Sequence, residues 1–161
     1  MSIKNFNSNT KNNDEWLTPP LLVKSLGVFD LDPCQPINPP FFHASEGFNI
    51  NDNGLDKNWD LFGRVWCNPP YGRETFKWLD KLHSHGNGIA LIFARTETIG
   101  FHNSVWNKAD AIFFFKGRLK FHYVCGKQGN TANAPSCLII YGKENIKSVI
   151  NSELKGKLII L

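Results

Sequence analysis

The chain has 161 residues and a formal net charge of +4, and its 42% hydrophobic content includes thirteen phenylalanines and five tryptophans. That supplies one ordinary domain with its own core and leaves too little chain for a second. No apolar stretch reaches the length of a membrane span. The polar, Asn-rich start MSIKNFNSNTKNNDEW carries no apolar signal segment, so a cytosolic protein is expected.

Residues 1–13 are expected to form a flexible N-terminal segment, with one domain over 14–161. The stiff piece Asp14 to Pro20 (DEWLTPP) leads into a short helix, Leu21 to Leu26, which Gly27 is placed to cap. Val28 to Asp32 alternates apolar and acidic residues before Pro33, the pattern of a strand ending in Asp32. Three prolines in 34–40 exclude a helix interior, Phe41 to Ile50 has room for one short strand, and Asn51-Asp52-Asn53-Gly54 is a turn signal. The apolar run Arg64-Val65-Trp66-Cys67 reads as a buried strand. Glu74 to His85 sets Phe76, Leu79 and Leu82 along one helical face, with Gly86 or Gly88 as terminator. Gly88 to Ala94 reads as a central parallel strand and Thr98 to Asn107 as a second helix. Ala109 to Phe115, Leu119 to Val124 and Ser136 to Tyr141 read as strands, with a mobile Gly- and Asn-rich loop at Cys125 to Pro135. The alternation implies a doubly wound α/β sheet, mostly parallel and finished by a C-terminal β-hairpin.

The chemistry concentrates in Asn68-Pro69-Pro70-Tyr71, directly behind the buried strand. Each proline fixes its own φ and pushes the residue before it out of the helical region, so Asn68 is held extended on a stiff ledge. The Asn68 amide oxygen and a proline carbonyl suit the two hydrogens of an amino group on a ring, and the Tyr71 face suits stacking on that ring. The plainer reading is a strand that turns through rigid prolines into a helix. In open α/β sheets, however, ligand chemistry gathers at the carboxyl ends of strands.

Cys34, Cys67, Cys125 and Cys137 have no C-x-x-C spacing, so neither a zinc site nor a disulfide framework is indicated. His83 and His85 close a polar helix end without thiolate or carboxylate partners, and no metal is expected there. In the second half Lys108, Lys116, Arg118, Lys120 and Lys127 interleave with Phe113, Phe114, Phe115, Phe121 and Tyr123. Basic groups beside aromatic ones fit a surface that takes phosphates and stacks a base; a solvated strand face over an aromatic core gives the same pattern.

With the pieces DEWLTPP, FDLDPC, NGLDKNW, RVWCNPPYG, ARTETIGFH and GRLKFH in this order, residues 14–142 resemble the phage-type DNA adenine-N6 methyltransferases. The resemblance implies a Rossmann-like sheet dependent on S-adenosylmethionine and methyl transfer to the exocyclic nitrogen of adenine in DNA. The setting is the cytoplasm of a bacterium or phage-infected host, with no obligate protein partner. It makes Asn68, Pro69, Pro70 and Tyr71 the catalytic loop. It places Thr18-Pro19 against the methionine part of the cofactor, Asp32-Pro33-Cys34 at the start of the cofactor loop, and Asp52-Asn53 at the turn that meets its adenine. Asp32, an acidic group at a strand end, also suits the cofactor's amino-acid head on chemical grounds. Two departures stand out: Gln35-Pro36-Ile37 replaces the usual glycine pair, and Thr96-Glu97-Thr98 stands where the family has Thr-Asp-Thr. Arg95 either pairs with Glu97 to brace the ledge or meets DNA, and Arg118 and Lys120 are candidate phosphate contacts. The same ledge also serves methylation of a protein glutamine amide, and the missing glycines leave room for a non-catalytic nucleic-acid-binding domain of this fold.

Overall fold

The computed structural model describes residues 16–161. The segment 1–13 expected to be flexible lies outside the described residues, as do Asp14 and Glu15 of the piece behind it. In chain order the elements are α1 Pro20–Ser25, β1 Leu31–Asp32, β2 Glu46–Gly47, β3 Val65–Cys67, α2 Thr75–His85 and β4 Gly88–Phe93. Then come α3 Ile99–Phe101, which runs into a π-helical turn His102–Trp106, and β5 Ala111–Phe115, β6 Lys120–His122 and β7 Gln128–Thr131. β8 Ser136–Tyr141, α4 Lys143–Asn151 and β9 Gly156–Ile160 complete the chain.

Seven strands form one sheet in the order β2-β1-β3-β4-β8-β5-β9, while β6 and β7 form a separate two-stranded sheet. The first four pair in parallel, with Leu31 opposite both Glu46 and Val65, and Trp66 opposite Ile89. The other half is antiparallel: Ile139 of β8 lies opposite Ala90 on one side and Ile112 on the other, and β9 flanks β5. Because β4 and β5 both oppose β8, strands β1 to β5 all run the same way, as expected of a mostly parallel sheet, and only β8 and β9 oppose them; the expected C-terminal hairpin is corrected. No helix lies between β5 and β8 to carry the chain back across a sheet face, so β8 comes in antiparallel. Its six residues are all buried, which gives it an interior place between β4 and β5. The strand expected over Gly88–Ala94 therefore has one parallel neighbour, β3, and one antiparallel neighbour, β8. The hairpin partner of β6 is β7, drawn from the Cys125–Pro135 loop expected to be mobile. Gly126, at φ +84°, makes that turn, and Tyr123 N–H donates to the Lys127 carbonyl at 2.9 Å.

Two further expectations change in detail. The strand over Val28–Asp32 contracts to Leu31–Asp32, although Asp30 still donates its N–H to the Arg64 carbonyl at 2.7 Å and accepts from Glu46 N–H at 3.0 Å, while its carboxylate also takes the Arg64 N–H at 2.6 Å. The helix over Thr98–Asn107 forms with Thr98 as its cap, but widens to π geometry after one turn.

Alternate residues of the strands feed two cores, one on each sheet face. Val65, Cys67, Ala90, Ile92 and Ile139 meet Leu79 and Leu82 of α2 together with Phe101 and Val105. Trp66, Ile89, Leu91, Leu138 and Ile140 meet Leu22 and Val23 of α1 and Val149 of α4. On α2 the buried stripe is Thr75, Trp78, Leu79 and Leu82, so Trp78 takes the place expected of half-buried Phe76. Gly86, left-handed at φ +77°, ends that helix.

The connections fix where a ligand belongs. From β1 the chain passes outward to β2, then crosses back to β3 on the other side of β1. Strand order therefore reverses between β1 and β3, and open α/β sheets hold their ligands at the carboxyl side of such a point.

Candidate active site

At the carboxyl end of β3 the prolines do what their geometry dictates, and the surrounding hydrogen bonds define the ledge. Asn68 Nδ2 donates to the Trp16 carbonyl at 2.9 Å. This leaves Asn68 Oδ1 as the outward acceptor, taken by the Tyr71 hydroxyl at 3.2 Å. The Pro70 carbonyl accepts from Thr75 Oγ1 at 2.7 Å, and that oxygen accepts from Gly72 N–H at 3.0 Å, which ties the ledge to the first turn of α2. The Pro69 carbonyl takes part in no hydrogen bond among the described residues. Asn68 Oδ1 and the Pro69 oxygen are thus the two acceptors open to exchange. The Tyr71 ring lies on Phe93 of β4, centroids 4.3 Å apart and planes 13° from parallel. Loss of hydration pushes its phenol above the ordinary range.

A cleft of about 280 Å³ opens beside the ledge at the β1–β3 reversal, bounded by Trp16, Leu17, Pro33, Cys34, Gln35, Asn53, Gly54, Trp78 and Asn68 to Tyr71. Gly54 must be glycine: a Cβ there would stand 2.4 Å from the Pro33 carbonyl and 3.1 Å from the Trp78 ring. Asn53 beside it adopts φ +49°, a left-handed conformation that asparagine tolerates. Gly47 of β2 also lacks room for a Cβ, because the Gln35 amide fills that place. Gln35, which stands where the family's glycine pair is absent, thus leans on a glycine of the neighbouring strand.

A smaller cavity of about 20 Å³, room for one water, adjoins the cleft and is bounded by Thr18, Asp32, Cys34, His43 and Asn68 among others. Its polar groups are short of partners. Thr18 Oγ1 and His43 Nε2 are buried with no hydrogen bond among the described residues. Asp32 is 5% exposed, and among the described residues its carboxylate accepts only the Cys34 N–H, at 3.0 Å. Burial pushes its carboxyl up to about 7, against that one favourable backbone bond. Burial also takes the His43 imidazole down to about 4, with His122 adding to the effect, so His43 is neutral near pH 7.

The expected site residues divide accordingly. Asn68, Pro69, Pro70, Tyr71, Pro33, Cys34 and Asn53 line the cleft, and Thr18 and Asp32 line the cavity beside it. Pro19 instead starts α1, its carbonyl accepting from Leu22 N–H at 3.0 Å. Asp52 braces the turn, its carboxylate accepting from Asn49 N–H at 2.9 Å, and Asn53 rather than Asp52 borders the cleft. Arg95 and Glu97 are exposed, border neither cavity and do not pair, so the bracing ion pair does not form. Arg118 and Lys120 are exposed on the β6–β7 hairpin. Cys34 and Cys67 are free thiols with sulfurs 4.0 Å apart. Among the described residues no cluster of His, Cys, Asp or Glu suits a metal ion. His85 Nε2 donates to the Gly63 carbonyl at 2.7 Å, and His83 is exposed. Trp16, Gln35, His43 and Trp78 are additions that the sequence motifs did not single out.

These features define a mixed α/β protein with a ligand cleft at the reversal point of its sheet, presenting two oxygen acceptors and an aromatic ring from a proline-stiffened ledge. The family described as DNA N-6-adenine-methyltransferase (Dam) matches residues 6–157. The chain belongs to that family, which bears out the resemblance carried by its motifs. No curated protein and no solved structure matches it. Among the described residues no helix is long and apolar enough to cross a membrane.

Proposed function

We propose that the chain, as one methyltransferase domain over residues 14–161 with a Rossmann-like sheet, transfers a methyl group from S-adenosylmethionine to the N6 amino group of adenine at a specific DNA site. The observation that carries this reading is the pair of exchangeable acceptors, Asn68 Oδ1 and the Pro69 carbonyl, on one wall of the cleft. The cleft suits the cofactor in kind. It approaches the size of a small-molecule site, and the buried, unpartnered Thr18 Oγ1 and the under-solvated Asp32, in the cavity beside it, are groups that the ammonium of the cofactor's amino-acid head would satisfy. Asn53 and Trp78 would hold the nucleoside end. When bound, the cofactor supplies an electrophilic sulfonium methyl.

The rest falls to the chain's own residues. An adenine amine is a poor nucleophile because its lone pair is drawn into the ring. By accepting its two hydrogens, Asn68 and Pro69 stabilise the positive charge that grows on nitrogen during transfer. The ledge holds no strong base, so the proton leaves to solvent. A duplex adenine must first be swung out, at a cost of a few kcal/mol. Tyr71, backed by Phe93, returns part of this by stacking, about 1–3 kcal/mol per base. Incubation with DNA and tritiated S-adenosylmethionine, followed by digestion to nucleosides, should yield labelled N6-methyldeoxyadenosine. Label in a protein acceptor, or none at all, overturns the reading in favour of a glutamine-amide methyltransferase or a non-catalytic binder respectively.

A further inference from the structure

Trp16 stands where the ledge, the cleft and the hairpin meet. Its carbonyl accepts from Asn68 Nδ2 at 2.9 Å. A side-chain amide has one donor end and one acceptor end, so this bond settles which end faces the cleft. Released from it, the Asn68 amide is free to turn over and present hydrogens to an amine that already carries hydrogens. The residues that hold Trp16 are those of the β6–β7 hairpin. Leu17 exchanges backbone hydrogen bonds with His122 of β6 in both directions, at 2.9 and 2.8 Å. The Trp16 indole packs against Tyr123, centroids 5.0 Å apart. It also lies over Gly129 of β7, where a Cβ would come within 3.2 Å of the ring.

We propose that Trp16 is a positioning residue for Asn68, and that the β6–β7 hairpin sets its position, so the surface element bearing Arg118 and Lys120 also fixes the polarity of the ledge amide. The inference rests on the role proposed above for Asn68 and extends it to a main-chain group outside the Asn-Pro-Pro-Tyr string. It makes DNA grip and methyl transfer interdependent: a hairpin pulled out of place weakens the amine's acceptor through Trp16, on the edge of the cleft.

The test compares Tyr123→Ala with Tyr123→Phe in the full chain, since Tyr123 borders neither the cleft nor the cavity beside it. One readout is single-turnover methylation of a DNA duplex alongside calorimetric affinity for S-adenosylmethionine. The other is hydrogen exchange of the Asn68 Nδ2 protons by NMR, assigned by their disappearance in Asn68→Ala. Tyr123→Ala should slow transfer roughly five- to ten-fold, the worth of one hydrogen bond. Cofactor affinity should stay within a few-fold, Nδ2 exchange should accelerate, and Tyr123→Phe should match the wild type throughout. Unchanged Nδ2 exchange in Tyr123→Ala overturns the proposal, as does a loss of rate matched by an equal loss of cofactor affinity. If the wild type methylates no DNA, the proposed function falls, and the exchange measurement still decides whether the hairpin holds Asn68.

Discussion

The two ends of β3 are one short buried strand apart and are built on opposite terms. At the amino end the Arg64 guanidinium lies 4.1 Å from the centre of the Phe29 ring. It donates to the carbonyls of Leu26 and Val28 at 2.8 and 3.1 Å, and to Asn145 Oδ1 and Ser148 Oγ. At the carboxyl end Asn68 Oδ1 is held by a phenol at 3.2 Å, the Pro69 carbonyl has no partner among the described residues, and Thr18 Oγ1 and His43 Nε2 lie buried beside them without one. A buried polar atom left unpaired costs about 1–3 kcal/mol. Gathering such atoms at one edge makes sense where a ligand completes them, while the saturated edge supplies the stability. With the function proposed above, stability and chemistry are thus separated along a single strand.

The substitution expected to break this contrast most sharply is Asn68→Ala. It should reduce DNA methylation about 100- to 1,000-fold, as loss of a charge-stabilising group does, with cofactor affinity within a few-fold by calorimetry. Retained turnover would remove the chemical half of the comparison. Arg64→Leu should do the reverse, lowering the unfolding free energy by about 2–4 kcal/mol in urea titration through stranded acceptors, with kcat/KM near wild type wherever the variant is folded. A stable Arg64→Leu would mean that the saturated edge does not carry the fold.

Next is pH. The folded Asp32 carboxyl, at about 7 instead of its ordinary 3.8, favours the proton in the folded state. Its contribution is complete below pH 4 and disappears as pH rises through 7. Unfolding free energy should fall by about 2 kcal/mol between pH 5 and 7.5 from this group, and the slope should vanish in Asp32→Asn. The ammonium of the cofactor's amino-acid head prefers the ionised carboxylate, so cofactor binding should tighten over the same interval in the wild type only. The smallest effects belong to the hairpin: Arg118→Ala and Lys120→Ala should each reduce the slope of log affinity against log salt by about 1. An unchanged slope would take the hairpin off the phosphates.

Legibility followed the range of the interactions. Pro69 and Pro70 act on their immediate neighbours, and α2 and β4 announce themselves by periodicity and by an unbroken apolar run, so the ledge and its supports were readable in the string. β7 was not, because Gln128-Gly129-Asn130-Thr131 has no apolar alternation and is a strand only by virtue of β6 and Trp16. The antiparallel direction of β8 depended on the absence of a crossover helix, which its own apolar residues do not announce. Trp16 was inside a recognised segment, yet its part is played by a carbonyl that every residue possesses. The Gln35–Gly47 fit likewise joins positions whose nearness only the folded sheet creates.

The Tyr71–Asn68 contact has a consequence for selectivity. Because the protein's own phenol occupies Oδ1 at rest, a nucleobase bound as proposed above gains the ledge only by outcompeting an internal rival. An adenine edge brings two hydrogens and satisfies both oxygens, whereas a thymine edge brings a carbonyl oxygen and sets like against like. Thymine is thus turned away by displacement, before any bond to carbon is at stake.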